Sequence, residues 1–506
     1  MVNFTACPYF GTKKREFCLC FETKTWKLAP ILKQKTVSFA PILKQNVYLC
    51  IQNQIIAEMF QRDVMTELQR WAKKRNRKPL VLRGARQVGK TSVINEFGRE
   101  FDNYLYVNLE DKNIYELFNC ATDVKELLID LFTAKGMVQN EGCTLLFIDE
   151  IQNSPQAVAL LRYFYEELPQ LYVVAAGSLL ESLIDTHISF PVGRVEYMAM
   201  HPCSFREFLT ATGNGVLRKR VEEDPLKSVA FHEKLLQLFN RYALIGGMPE
   251  VIAQYIETKD LVGLNDVFES LLNGYQDDVE KYARNHTQTG VIRHILTAGW
   301  GEAASTITLG RFAGSEYKAR EMGEAFATLE KAMLLELAYP VTQTSLPLLP
   351  DRKRAPKLLW LDSGLVNYAA GIQKEVFAAK DIFDAWRGRF AEHIVAQELL
   401  TLNNRFGQKR SFWVRQKVGA TAEVDFVWQH DARLIPIEVK AGHNAHLRSL
   451  HSFIDNSESC QLAVRVWSQP FSVDRVVTNA GNSFTLLNVP FYLVGFLPKC
   501  IAPYQF

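Results

Sequence analysis

Apolar residues in this chain follow two rhythms. Short unbroken runs stand at Pro79–Leu82, Thr144–Ile148 and Leu171–Ala176, each giving way to arginine, acid or glycine. Runs of that length suit strands buried on both faces of a parallel sheet. Elsewhere apolar positions recur every three or four residues, as in Phe60–Trp71, Ser92–Arg99 and Phe231–Tyr242, and predict amphipathic helices. Strands alternating with helices predict an α/β fold on a parallel sheet. From about residue 201 to 284 helical spacing takes over, interrupted by the turn Gly246-Gly247-Met248-Pro249. Helices followed by strands then span Val291 to Trp360. There Arg320–Ala332 turns Met322, Phe326 and Leu329 inward, and Leu334–Leu337 pairs with Leu358–Trp360.

The first strand-like run delivers the chain to Gly84-Ala85-Arg86-Gln87-Val88-Gly89-Lys90-Thr91, a G-x-x-x-x-G-K-T phosphate-binding loop, with Ser92 in the helix that follows. The glycines let the backbone wrap a phosphate, and the helix N-terminus adds oriented N–H groups. Lys90 is placed to reach the β and γ phosphates of a nucleoside triphosphate, and Thr91 to ligate magnesium. The second run ends in Asp149-Glu150. Asp149 would hold magnesium through water and Glu150 would polarise the attacking water, so the pair favours hydrolysis over binding alone. The third run brings Ser178 to the same sheet edge, where it could sense the γ-phosphate. Arg194 is either a cation for transition-state charge, in cis or from a neighbouring subunit, or an ordinary surface charge. ATP and Mg2+ are the expected cofactors.

Composition narrows the setting. A chain of 506 residues has room for about three domains. A net charge of +3 is too small to argue nucleic-acid binding by itself. No apolar run reaches membrane-spanning length, and the N-terminus lacks a signal peptide's apolar stretch, so no membrane partner is expected. Nine cysteines without paired C-x-x-C spacing argue for a reducing, cytoplasmic location and against structural zinc. Within residues 1–58, Ala29-Pro30-Ile31-Leu32-Lys33-Gln34 recurs as Ala40-Pro41-Ile42-Leu43-Lys44-Gln45. That segment reads as a poorly structured extension, or as sequence upstream of a true start at Met59; a docking arm or a metal site at Cys18-Leu19-Cys20 is the other reading.

Several strings resemble a widespread family of prokaryotic AAA-like P-loop ATPases with a C-terminal domain of unknown function. They are residues 84–91, Phe-Ile-Asp-Glu-Ile-Gln at 147–152, Ala-Gly-Ser at 176–178 and Gly-Arg-Val-Glu at 193–196. Pro-Cys-Ser-Phe-Arg-Glu-Phe at 202–208, Gly-Gly-Met-Pro-Glu at 246–250 and Leu-Asp-Ser-Gly-Leu at 361–365 continue the likeness. The resemblance implies an ATPase core (59–200), a helical lid (201–284), a winged-helix-like module (285–356) and a restriction-endonuclease-like domain (357–506).

The residues of the last region fit that expectation. A helix at Trp386–Leu400 is followed by strand-like runs at Phe412–Lys417, Ala422–Trp428 and Leu434–Lys440, then helix Ala445–Ile454 and strand Leu462–Trp467. This α-β-β-β-α-β order is the core of restriction-endonuclease-like folds. Asp425 and Glu438 would hold magnesium, Glu392 could complete its shell, and Lys440 would activate water. Glu423 and Asp425 alternate onto one face of their strand. The tripeptide Glu438-Val439-Lys440 alone is weak, since Glu22-Thr23-Lys24 and Glu257-Thr258-Lys259 repeat the pattern. In the preceding module, Arg352, Lys353, Arg354 and Lys357 could touch DNA phosphates, whereas Glu321, Glu324 and Glu330 would repel them. Two readings stay open: an ATP-controlled enzyme acting on DNA, or an ATP-switched protein, alone or as a homo-oligomer, whose C-terminal fold grips a protein partner.

Overall fold

The computed structural model describes residues 61–177, 193–372, 388–402, 406–416, 422–440 and 447–504. The extension at 1–58 and the helix start at Trp386 lie outside them. The first part is a five-stranded parallel sheet of β1 (Leu80–Arg83), β2 (Asn103–Asn108), β3 (Thr144–Asp149), β4 (Tyr172–Gly177) and β5 (Glu196–Ala199), in the order β2-β3-β4-β1-β5. The three expected runs are β1, β3 and β4, side by side at its centre. Strand alternation divides them between two cores: Leu145 and Phe147 of β3 pack with Val64 and Phe97, whereas Leu146 and Ile148 pack with Phe118, Leu131 and Phe164.

Helices α1 (Val64–Ala72) and α2 (Lys90–Gly98) cover the first face; α3 (Lys112–Cys120), α4 (Val124–Ala134) and α5 (Pro155–Glu167) cover the second. Their starts are written in the sequence: Asp123 accepts from Lys125 N and Glu126 N, and Ser154 accepts from Ala157 N ahead of Pro155.

A helical block follows, from α6 (Phe205–Ala211) and α7 (Gly215–Glu223) through α8 (His232–Ile245), α9 (Pro249–Thr258), α10 (Asn265–Asp277) and α11 (Val279–Tyr282). Next come α12 (His286–Ala298), α13 (Ala319–Lys331) and an antiparallel pair, β6 (Leu335–Ala338) with β8 (Lys357–Trp360). Met322, Phe326 and Leu329 are buried as their spacing demands. The short β7 (Pro340–Val341) joins β9 (Phe412–Val414) and β10 (Glu423–Val424) in a separate three-stranded sheet. After α14 (Ser363–Ala369) and α15 (Arg389–Leu400), β11 (Phe426–His430), β12 (Arg433–Val439), β13 (Leu462–Trp467), β14 (Ser472–Val477) and β15 (Ser483–Pro490) form a mixed sheet with α16 (Arg448–Asp455) against it.

The anticipated order α-β-β-β-α-β is therefore present, with one departure. The single strand expected over Ala422–Trp428 is two, broken at Asp425: β10 pairs with β9, and β11 pairs with β12 in the other sheet. Beside the core on the second face of the parallel sheet and a small one around Trp413 and Phe453, the regions share their main core. One continuous apolar cluster runs from Val64 in α1 to Ile501 near the C-terminus.

Candidate functional site

The phosphate loop joins β1 to α2 at the carboxyl edge of the parallel sheet. Gly89 adopts φ 93°, a left-handed conformation that a side chain would strain. Lys90 is buried, and its ammonium donates to the carbonyls of Gly84 (2.9 Å) and Ala85 (2.8 Å). Burial pushes Lys90 down to about 8, against the pull of the Glu150 and Asp149 carboxylates. Thr91 Oγ1 donates to Asp149 Oδ2 at 2.8 Å, so the two motifs meet through their side chains. Desolvation raises Asp149 above its ordinary value, while the Thr91 hydroxyl opposes the shift. Glu150 turns off the strand end in a left-handed conformation (φ 52°) and accepts from Gln152 Nε2.

Two further arginines hold the loop. Arg62 donates to Val88 O (2.8 Å), His201 O (2.6 Å) and Glu207 Oε1 (3.0 Å). Arg86, within the loop, pairs with both carboxylate oxygens of Asp278 at 2.5 Å, and Tyr275 donates to its carbonyl at 3.4 Å. The helical block therefore grips the phosphate loop directly. Gln87 and Ser92 are exposed at its mouth, whereas Ala85 and Val88 are buried.

The hard oxygens of Thr91 and Asp149, side by side, with a buried ammonium next to them, suit magnesium and a polyphosphate. One expected contributor, Arg194, does not join them. Ser178 lies outside the described residues. Arg194 precedes β5, at the edge of the sheet opposite the loop, and is tied to Glu166 at 3.0 Å on the surface. Within one chain it does not reach the nucleotide edge, because β5 runs parallel to β1 and enters where β1 enters.

Several of the resembled strings turn out to build one buried junction. Ser204 and Glu207 form a capping box at the start of α6. The Cβ of any side chain at Gly247 would lie 2.2 Å from Cys203 O, so only glycine fits there. Asp362 accepts from Gly247 N (2.5 Å) and Leu365 N (3.1 Å), and burial pushes its carboxyl up to about 6. Glu398 of α15 accepts from Phe205 N (3.0 Å) and the Tyr242 hydroxyl (2.8 Å), and burial pushes it up to about 7. Gln397 bridges Tyr242 and Asp362. These contacts run from the loop's neighbours to the helix that carries Glu392.

The C-terminal candidates also come together, but around a residue expected elsewhere. Lys357 does not sit in an exposed loop facing phosphates: it lies on β8 with its side chain only 4% exposed. Its ammonium is 3.0 Å from Glu392, 2.7 Å from Glu423 and 3.9 Å from Asp425. Burial opposes its charge, yet the carboxylates of Glu392, Asp425 and Glu423 outweigh that and hold it above its ordinary value. Glu423 and Asp425 share a face as alternation requires. Asp425 Oδ2 accepts from Val439 N at 2.7 Å, and Glu438 pairs with Lys440 at 2.6 Å. Burial and the Asp425 charge push Glu438 up to about 8.

The expected metal ligands Glu392, Asp425 and Glu438 thus stand among ammonium partners in this structure. Their carboxylates surround an ammonium or turn to Lys440, and among the described residues no trio of His, Cys, Asp or Glu is disposed to hold a metal. The acids of the preceding module are likewise engaged: Glu321 accepts from Lys318 N, Glu324 pairs with Arg320, and Glu330 with Lys409.

Comparison with known proteins adds three regions. Residues 76–209 match the AAA domain family, 236–376 match a domain of unknown function (DUF8612), and 387–487 match another (DUF4143). The first region is thus an AAA-type, P-loop ATPase-like domain. No curated protein matches the chain. Among solved structures, a Walker-type ATPase of Pyrococcus abyssi is 15% identical over 62% of this chain and 96% of its own, with a TM-score of 0.39. The ORC1 protein of Aeropyrum pernix, solved in complex with DNA, is 14% identical over the same shares with a TM-score of 0.25. Neither score carries an argument here. Among the described residues no helix is long and apolar enough to cross a membrane.

Proposed function

We propose that the chain is a magnesium-dependent ATPase whose nucleotide state is relayed to its C-terminal α/β module. The observation that carries this reading is the hydrogen bond from Thr91 to Asp149 beside the buried Lys90, with Glu150 at the next position. Lys90 exchanges the carbonyls of Gly84 and Ala85 for the β and γ phosphates of ATP. Thr91 and Asp149 would hold Mg2+, which when bound neutralises phosphate charge. Glu150, freed from Gln152, takes a proton from the attacking water as it approaches the γ-phosphorus. Arg86 reports loop movement to the helical block through Asp278, and the Gly247–Asp362–Gln397–Tyr242 contacts extend that path toward α15. Five free cysteines among the described residues are in keeping with a reducing cytoplasm. The test is phosphate release from ATP by the whole protein. No release by wild type, with ATP shown to be bound, sinks the hydrolysis assignment.

For the C-terminal module, the α-β-β-β-α-β order with acids on its strands supports descent from a nuclease-type fold. Lys357 among those acids favours the reading in which the module grips a partner rather than cutting DNA. A plasmid-nicking assay with Mg2+ or Mn2+, with and without ATP, decides between them. Nicking that disappears in Lys440→Ala would restore the DNA-cleaving reading.

A further inference from the structure

The carboxylate cluster holds a cation of its own. Lys357 is supplied by β8, in the region of residues 236–376, whereas Glu392, Glu423, Asp425 and Glu438 come from residues 387–487. The lysine stem is fixed at both ends. Its backbone pairs with Ala338 and bridges to Thr306, and its ammonium lies 4.9 Å from the centre of the Phe412 ring. A divalent cation in such a pocket would need several oxygens converging at about 2.0–2.6 Å. The three acids instead stand at 2.7 to 3.9 Å from one nitrogen, the geometry of hydrogen bonds and ion pairs.

We propose that Lys357 is the resident cation of this site, an ammonium from one module that fills the acidic pocket of the next in place of a divalent metal. The inference rests on the reading of these acids as a nuclease-type constellation and states how this chain has changed it. The ammonium offsets part of the carboxylates' charge, locks β8 to α15 and β10, and occupies the space between them. The pocket then works as a latch between two regions rather than as a hydrolytic centre.

The test compares the whole wild-type protein with Lys357→Met, which keeps the stem and removes the charge. Manganese binding without nucleotide is followed by electron paramagnetic resonance. Iron(II)-generated hydroxyl-radical cleavage, mapped by mass spectrometry, then locates any bound metal. Wild type is expected to show no cuts near Glu392, Asp425 or Glu438. Lys357→Met is expected to gain one saturable manganese site, to be cut there, and to recover lost thermal stability when manganese is added. Cuts at those residues in wild type overturn the proposal, as does a folded Lys357→Met that gains no metal. Should Lys357→Met fail to fold, the wild-type map and Lys357→Arg, expected to fold and stay uncut, decide the matter. Metal-dependent DNA nicking by wild type would sink the gripping reading as well, whereas metal binding without nicking would sink only the latch.

Discussion

Two buried lysines, each beside strand-end acids, meet opposite fates in this molecule. Lys90 spends its hydrogen bonds on backbone carbonyls, while Asp149 is occupied by a threonine hydroxyl. Neutral groups hold both, so an arriving phosphate can displace the carbonyls from Lys90, and Mg2+ the hydroxyl from Asp149, at little electrostatic cost, and the buried ammonium gains a counter-ion. Lys357 is surrounded by carboxylates and already has its counter-ions. The same residue types thus make an open site in one place and a closed one in the other. What separates them is whether opposite charges are paired within the chain or held apart by neutral donors and acceptors.

The comparison can be broken in order of effect. Lys90→Ala should cut ATP turnover on the order of 10³-fold with little change in thermal stability, as read by phosphate release and melting. Glu150→Gln should keep ATP binding and lose turnover by about 10²–10³-fold; equal loss of binding would remove Glu150 from its role as base. Lys357→Met should do the reverse of Lys90→Ala, costing about 3 kcal/mol of folding stability in urea titrations because acids lose their buried partner. A stability unchanged to within experimental scatter would mean the acids do not depend on it.

At the junction, Glu398 binds its proton more tightly folded than unfolded. The stability this gives is fully present below about pH 4.5 and is lost as pH rises through about 7. Glu398→Gln cannot titrate, so the difference between it and wild type should change by on the order of 3 kcal/mol across that window. Parallel curves for the two proteins would show that Glu398 is ionised throughout. The smallest effect belongs to Arg194→Ala, whose exposed ion pair with Glu166 should leave folding stability unchanged within experimental scatter, with turnover within about twofold of wild type. A loss of about 10³-fold in turnover would instead make it a cation supplied across a subunit interface.

The phosphate-loop site is legible because its determinants are local. The loop, the strand before it and the helix after it are contiguous, and Asp149-Glu150 closes an apolar run that announces itself. Helix α13 was legible for the same reason, since Met322, Phe326 and Leu329 repeat at helical spacing. The fate of Arg194 was not, because a residue next to a strand does not reveal which end of the sheet it occupies until the strand's direction is known. Lys357 was hidden more thoroughly. It stands 35 positions before Glu392, among other basic residues, and nothing in its neighbours signals burial against acids. The break at Asp425 is also invisible in the pattern, since Glu423–Phe426 alternates and Val427-Trp428 extends the apolar run, so that Ala422–Trp428 passes for one strand. The Gly246-Gly247 and Asp362-Ser363-Gly364 strings were visible as strings, but their chemistry is the close approach of two backbones, which spacing cannot convey.

The apolar continuum from Val64 to Ile501 has a consequence for how the molecule comes apart. Modules joined by linkers melt one after another and survive amputation. Here α15 lies against α14, β8 and α8-side residues in the same cluster that reaches α1, so heat should dissolve these layers in a single calorimetric transition. A truncated piece beginning near residue 357 would carry a raw hydrophobic wound where the helical block had been, and would be rescued from aggregation only by the missing portion added back in trans.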